Sequence, residues 1–232
     1  MKLFLLACIL FLFACNTVEK PPAPKTAAEQ NEAFLTESAS MIKSGYVVLR
    51  RGRDMTSYRI LEMSETDKTY SHAGIAVVKP EGIFVYHIVP PDLDEPKSDT
   101  LVRLEPLRKF ANPDKNLEFG FGKFKISDQE VERLISHLDS MKQAGVSFDH
   151  LFDLRTQNRM YCSEMVDKAL RYATKDSIRL KRNEFKNPEL VKMVANFLHA
   201  SEKEVQSRIY IPIENIYLDP SFEMIAQYKF SR

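Results

Sequence analysis

The chain opens on an unbroken apolar run, Leu3 to Phe13, behind a single Lys2, whereas the later hydrophobic stretches are shorter or recur at a helical or strand period. Segments rich in β-branched and aromatic residues predict strands at Tyr46 to Leu49, His72 to Val78, Ile83 to Val89, Leu101 to Leu104 and Leu117 to Phe124. Two more follow at Ile209 to Ile213 and Met224 to Phe230. Helical spacing takes over elsewhere. Ser127-Asp128-Gln129-Glu130 has the form of a capping box, and Val131, Leu134, Ile135, Leu138 and Met141 then recur on one face. A second stripe, Met165, Val166, Ala169, Leu170 and Ala173, predicts a helix starting near Cys162. Further helices are expected over Ala33 to Lys43 and Pro188 to Leu198. With no internal repeat and no second linker, the pattern predicts a single α+β domain over residues 34–232.

The opening run is of another kind. Its length would give a helix of about 16 Å, roughly half a bilayer core, so it reads as a secretory signal and not as a spanning anchor. It ends in Leu12-Phe13-Ala14-Cys15, which resembles the lipobox of bacterial lipoproteins. That resemblance implies a signal peptide over residues 1–14, lipid attachment at Cys15 and a protein anchored in the bacterial cell envelope, periplasmic or surface-facing. Residues 15–33, with Pro21, Pro22 and Pro24, are then a tether.

Composition narrows the chemistry. The 232 residues carry 33 basic and 32 acidic side chains, a net charge of +1 with no long run of one sign, so no nucleic-acid footprint is present. Three cysteines are too few for a disulfide scaffold. Cys8 falls in the signal and Cys15 at the lipobox, which leaves Cys162 alone in the domain.

A lone cysteine on an apolar stripe can be a packing residue. At a helix start, however, unpaired N–H groups and the helix dipole favour thiolate and can receive an oxyanion. Its base must come from five histidines. His137 and His199 read as surface residues and His150 as a loop residue, whereas His72 and His87 are embedded in apolar strands. If those strands form a hairpin turning at Lys79 to Gly82, Gly74 pairs with His87 and His72 with Val89. The two imidazoles then share one face, about 7 to 8 Å apart at the backbone, and Gly74 leaves room between them. A one-residue slip would separate them, leaving two independently satisfied strand histidines. Without closely spaced ligand pairs, no metal or other cofactor is expected.

Tyr70-Ser71-His72-Ala73-Gly74-Ile75, Val85-Tyr86-His87 and Tyr161-Cys162-Ser163-Glu164-Met165-Val166 together resemble the motifs of the YiiX/YebB-like permuted papain-fold amidases. These are relatives of the NlpC-type cysteine peptidases and of lecithin:retinol acyltransferase. The order, histidine before cysteine, is that of the circularly permuted branch. The resemblance implies an antiparallel sheet packed on helices, with Cys162 as nucleophile at a helix N-terminus and His72 as general base. His87 stands as the third member, where many relatives have a glutamate. Tyr161, Ser163 and Glu164 would belong to the oxyanion or pocket region. The expected activity is that of a lipid-anchored cysteine hydrolase acting on envelope peptides, peptidoglycan stems or acyl amides and esters. An acyltransferase and a binding lipoprotein without catalysis are the alternatives.

Overall fold

The computed structural model describes residues 25–90 and 101–232. The expected signal peptide, Cys8, the expected lipid attachment at Cys15 and the first part of the expected tether lie outside the described residues. Helix α1 (Ala27–Met41) leads to β1 (Val47–Gly52), α2 (Met55–Glu62), the hairpin β2 (His72–Lys79) and β3 (Gly82–His87), then β4 (Arg103–Pro106). Next come α3 (Leu107–Phe110), β5 (Asn116–Phe124), α4 (Asp128–Gln143), the short strands β6 (Ser147–Phe148) and β7 (Arg159–Met160), and α5 (Cys162–Ala173). The chain closes with β8 (Asn183–Glu184), α6 (Pro188–Leu198), α7 (Glu202–Gln206), β9 (Ile209–Tyr210), α8 (Glu214–Tyr217) and β10 (Phe222–Lys229). Among the described residues no helix is long and apolar enough to cross a membrane.

Six strands in the order β10-β5-β1-β2-β3-β4, every neighbouring pair antiparallel, form the main sheet. The period of two along each strand divides the core. Leu49, Ala73, Ile75 and Tyr86 pack with Leu134 and Leu138 of α4 and Met165 and Val166 of α5. Val48, Ala76, Val85, Phe119 and Phe121 face the other way, against Leu35 of α1 and Phe110 of α3. The stripe predicted on α5 is buried throughout and packs on β2. Met165, Val166 and Leu170 each contribute about 1.5–3 kcal/mol of burial.

The α+β class and the antiparallel sheet stand as expected, with several boundaries moved. Helix α1 starts at Ala27, ahead of the expected Ala33. Thr26 and Glu29 form a reciprocal capping box, and Asn31 exchanges hydrogen bonds with the Ser231 backbone at 2.9 and 3.0 Å, which ties residues expected in the tether to the far end of the chain. The strand expected at Leu101 to Leu104 runs instead over Arg103–Pro106, and the one expected over Ile209 to Ile213 stops at Tyr210. Helix α2, the pair β6–β7, and α7 and α8 are additional to the sequence pattern, being too short to show a period.

The β2–β3 hairpin has the expected register, Ile75 opposite Tyr86 and Lys79 opposite Gly82, so its loop is the two residues Pro80 and Glu81 and not four. Gly74 fits because it lacks a side chain. A Cβ there would come within 2.4 Å of Val85 Cγ1 and 2.8 Å of the Tyr86 carbonyl. Gly74→Ala is therefore expected to push β2 and β3 apart, at a cost of about 1–3 kcal/mol read from a urea midpoint. An unchanged midpoint would show that the hairpin tolerates the displacement.

Candidate active site

The ends of four elements meet at one corner of the sheet. Cys162 opens α5, His72 opens β2, His87 closes β3, and Glu105 lies on β4. Strand pairing places Arg50 of β1 directly opposite His72, and Arg103 directly opposite His87. Glu105 is opposite Val85, hence a diagonal neighbour of His87 on the same face. Phe110 of α3 packs on this group, with ring centroids 5.6 Å from His72 and 5.3 Å from His87 and with the Arg50 guanidinium 4.9 Å from its own centroid.

His72 Nε2 lies 2.9 Å from His87 Nδ1, and His87 Nε2 lies 2.9 Å from Glu105 Oε1. The second approach is short but the ring N–H is not in line with the oxygen, so with a neutral ring it is a contact between a carboxylate charge and the N–H dipole more than an aligned hydrogen bond. Lys109 Nζ stands 3.3 Å from the other oxygen, Glu105 Oε2. The chain of contacts fixes one set of tautomers. An anionic carboxylate favours a proton on His87 Nε2, which leaves His87 Nδ1 as an acceptor for the Nε2–H of His72. Nδ1 of His72 then carries the lone pair.

The thiol of Cys162 stands in the first turn of α5. The backbone N–H groups of Ala73, Ser163 and Cys162 itself are directed at its sulfur. Ala73 adjoins His72 and sits beyond the last paired residues of the β2–β3 ladder, so its N–H faces the sulfur in place of a strand. Cys162 and His72 are 7% and 8% exposed and line one cavity of about 880 Å3, which His87 and Glu105 also reach.

Burial pushes the Cys162 thiol up, against the pull of the three N–H groups and of the Arg50 charge. It holds His72 well below 6.5, assisted by Arg50, His87 and Arg103, and His87 at about 4 although Glu105 opposes the shift. Burial would raise the Glu105 carboxyl, yet His87 and Lys109 bring it down to about 2. At neutral pH the group is a thiol, two neutral imidazoles and a carboxylate.

These shifts set a pH dependence of folding. Unfolded imidazoles take up protons near pH 6.5, whereas His87 in the fold does so only near pH 4. Stability held by the neutral pair is complete above about 6.5 and is lost as the pH falls, at up to about 1.4 kcal/mol per histidine per pH unit. Glu164 acts in the opposite sense: burial raises its carboxyl to about 7, so its contribution is complete below the unfolded carboxylate range and is lost as pH rises through 7. Urea titrations at pH 7 and pH 5 are expected to show a smaller acid loss in His87→Gln than in the wild type. Equal losses would mean that His87 is not held neutral.

The other predicted site residues divide. Tyr161 and Ser163 line the cavity, but their hydroxyls are engaged with one strand-like segment: Ile211 N–H donates to Tyr161 Oη at 2.8 Å, and Ser163 Oγ donates to the Ile211 carbonyl at 2.6 Å. They pin the cavity wall. Glu164 is a correction, since it is not among the cavity residues and is fully buried. Its third position in the helix points it back at the Tyr161 N–H, 3.4 Å away, and at Lys168 Nζ, 2.9 Å away. His150 and His199 are exposed and His137 stacks on Tyr172, all away from the cavity. Arg50 and Glu105 are additional to the sequence-based set. The alternation of Arg103 and Glu105 along a strand was the one local signal for the glutamate, and its partner strand was not readable.

No protein-family model and no curated protein sequence matches the chain. Among solved structures, the chain is similar to a crystal structure described as metalloprotein yiiX from Escherichia coli O157:H7, DUF1105, with a TM-score of 0.64. The alignment covers 81% of this chain and 98% of the other at 18% identity. The fold is YiiX-like. At that identity the likeness concerns the arrangement of strands and helices, and the chemistry rests on this chain's own side chains.

Proposed function

We propose that the protein is a cysteine hydrolase of the permuted papain-like kind, cleaving an amide or ester through a Cys162 acyl-enzyme. The observation that carries this reading is the contact chain from Glu105 through His87 to His72, which lines the same cavity as Cys162, the one free cysteine of the described residues. His72 Nδ1 takes the thiol proton as sulfur attacks the substrate carbonyl carbon. The new oxyanion receives the Cys162 backbone N–H at the helix start. Collapse breaks the bond to the leaving group, which takes the proton from His72. Water then gives a proton to His72, attacks the thioester and releases the acid, and the sulfur regains its proton. His87 orients His72, and Glu105 compensates the imidazolium through His87.

The structural neighbour is described as a metalloprotein, which raises the question of a metal here. The donor set does not fit one. Nε2 of His72 and Nδ1 of His87 face each other at 2.9 Å, so they cannot both point at a common ion, and no group of three ligating side chains converges among the described residues. We derive no step through a metal. The Leu12-Phe13-Ala14-Cys15 motif supports a place in the cell envelope with the membrane held through Cys15 lipid, where peptides, peptidoglycan stems and acyl amides or esters are at hand.

Incubation with a p-nitrophenyl ester tests the reading. A burst of nitrophenol and an intact mass increased by the acyl group, mapped to Cys162, are expected. Hydrolysis without a Cys162 adduct in a rapid-quench series would overturn it.

A further inference from the structure

The cavity lining is of two kinds. Ile60, Met63, Phe148, Phe152, Ile211 and Ile213 are apolar. Arg50, Arg53, Arg103, Lys109 and Lys115 are cationic, against two carboxylates, Asp54 and Glu105.

Arg50 is the most buried of the unpaired cations on the cavity, since Arg53 and Lys115, which also lack an ion pair among the described residues, are exposed. Lys109 is paired with Glu105, and the neighbouring Arg51 with Glu118. The Arg50 guanidinium lies on the Phe110 ring, and its Nη1 reaches only uncharged oxygens, the Phe110 carbonyl and Asn116 Oδ1, both at 3.4 Å. Its Nε is buried with no acceptor. Among the described residues no carboxylate forms an ion pair with it. No carboxylate of the described residues touches this half-buried cation: Glu105 and Asp54 act on it only through space, its Nε keeps no acceptor, and it lines the cavity next to His72 across the β1–β2 ladder.

We propose that Arg50 is an anion subsite, and that the cavity takes N-acyl amino acids: an apolar acyl chain on one side of the scissile amide, a carboxylate close on the other. This rests on the hydrolase reading, which also assigns the orientation. His72 must protonate the leaving nitrogen, so the leaving half lies on the His72 side, where Arg50 stands opposite. The acyl half then takes the apolar part of the lining. Hydrolysis breaks the amide C–N bond, places the water oxygen on the acyl carbon and the proton on nitrogen, and releases a fatty acid and an amino acid.

The test compares N-dodecanoylglycine with its uncharged counterpart N-dodecanoylglycinamide on the full chain. A preference in kcat/KM on the order of 10- to 100-fold for the carboxylate is expected, as for a charge-assisted hydrogen bond. In Arg50→Gln the ratio should fall toward one, and in Arg50→Lys it should recover in part. A ratio near one in the wild type, or one unchanged in Arg50→Gln, overturns the subsite. Binding of the same two compounds to Cys162→Ala protein, with and without Arg50→Gln, reads the subsite without turnover. Selective binding of the carboxylate without hydrolysis by the wild type would overturn the hydrolase reading and leave the subsite standing, and equal affinities would do the reverse.

Discussion

Cys162→Ala is expected to lower ester and amide turnover by at least about 10³-fold, because the remaining groups have no atom with which to form the acyl intermediate. Removal of one sulfur from a buried position leaves a small void, so the cost in stability is expected to stay below about 2 kcal/mol. The two outcomes separate the roles that a cysteine at a buried helix start can have. A packing residue would lose stability and keep turnover. A nucleophile loses turnover and keeps its fold. Cys162→Ser is not expected to restore the rate, since a hydroxyl is far less acidic than a thiol and burial already pushes the thiol up. Steady-state kinetics with a urea midpoint on each variant checks both halves.

Glu105→Gln carries the second large effect, expected at about 10²- to 10⁴-fold in kcat. The glutamine is nearly the same shape, so the loss would come from protons. Its amide NH2 can donate to His87 Nε2, which moves the His87 proton to Nδ1 and turns that atom from acceptor to donor. His72 Nε2 must then accept, the His72 proton shifts to Nδ1, and the lone pair that should receive the thiol proton is gone. One amide therefore reverses two tautomers in series. Imidazole ¹⁵N shifts should report the exchange in Glu105→Gln and the original pattern in Glu105→Asp. An intact rate in Glu105→Gln would show that the carboxylate holds Lys109 and not the histidines.

Much of this arrangement was legible because local signals and side-chain period agree. The Ser127 capping box starts α4 as predicted, with Ser127 Oγ accepting from Glu130 N at 3.3 Å. The apolar stripe placed Cys162 in the first turn of α5, and the spacing of His72 and His87 about Pro80 and Glu81 gave the register that brings the rings together. What escaped depends on pairing between distant segments. Arg50 meets His72 only through the β1–β2 ladder, and Glu105 meets His87 only because β4 pairs with β3 after a connection that carries no length or turn signal for register. Glu164 serves the helix dipole and the capping N–H, as an acidic residue in a first turn commonly does, and its burial, which keeps it off the cavity, depends on packing that its local sequence does not show. The capping box at Thr26 was present in the sequence but lies among prolines and charged residues that read as tether.

The central claim is that His72 activates Cys162. Labelling with a thiol-directed activity probe at pH 7, followed by mass mapping, tests it most directly. The account predicts modification at Cys162, its absence in Cys162→Ala, and a rate of labelling in His72→Ala lower by at least about tenfold. Labelling that persists in Cys162→Ala, or proceeds at the wild-type rate in His72→Ala, would contradict it.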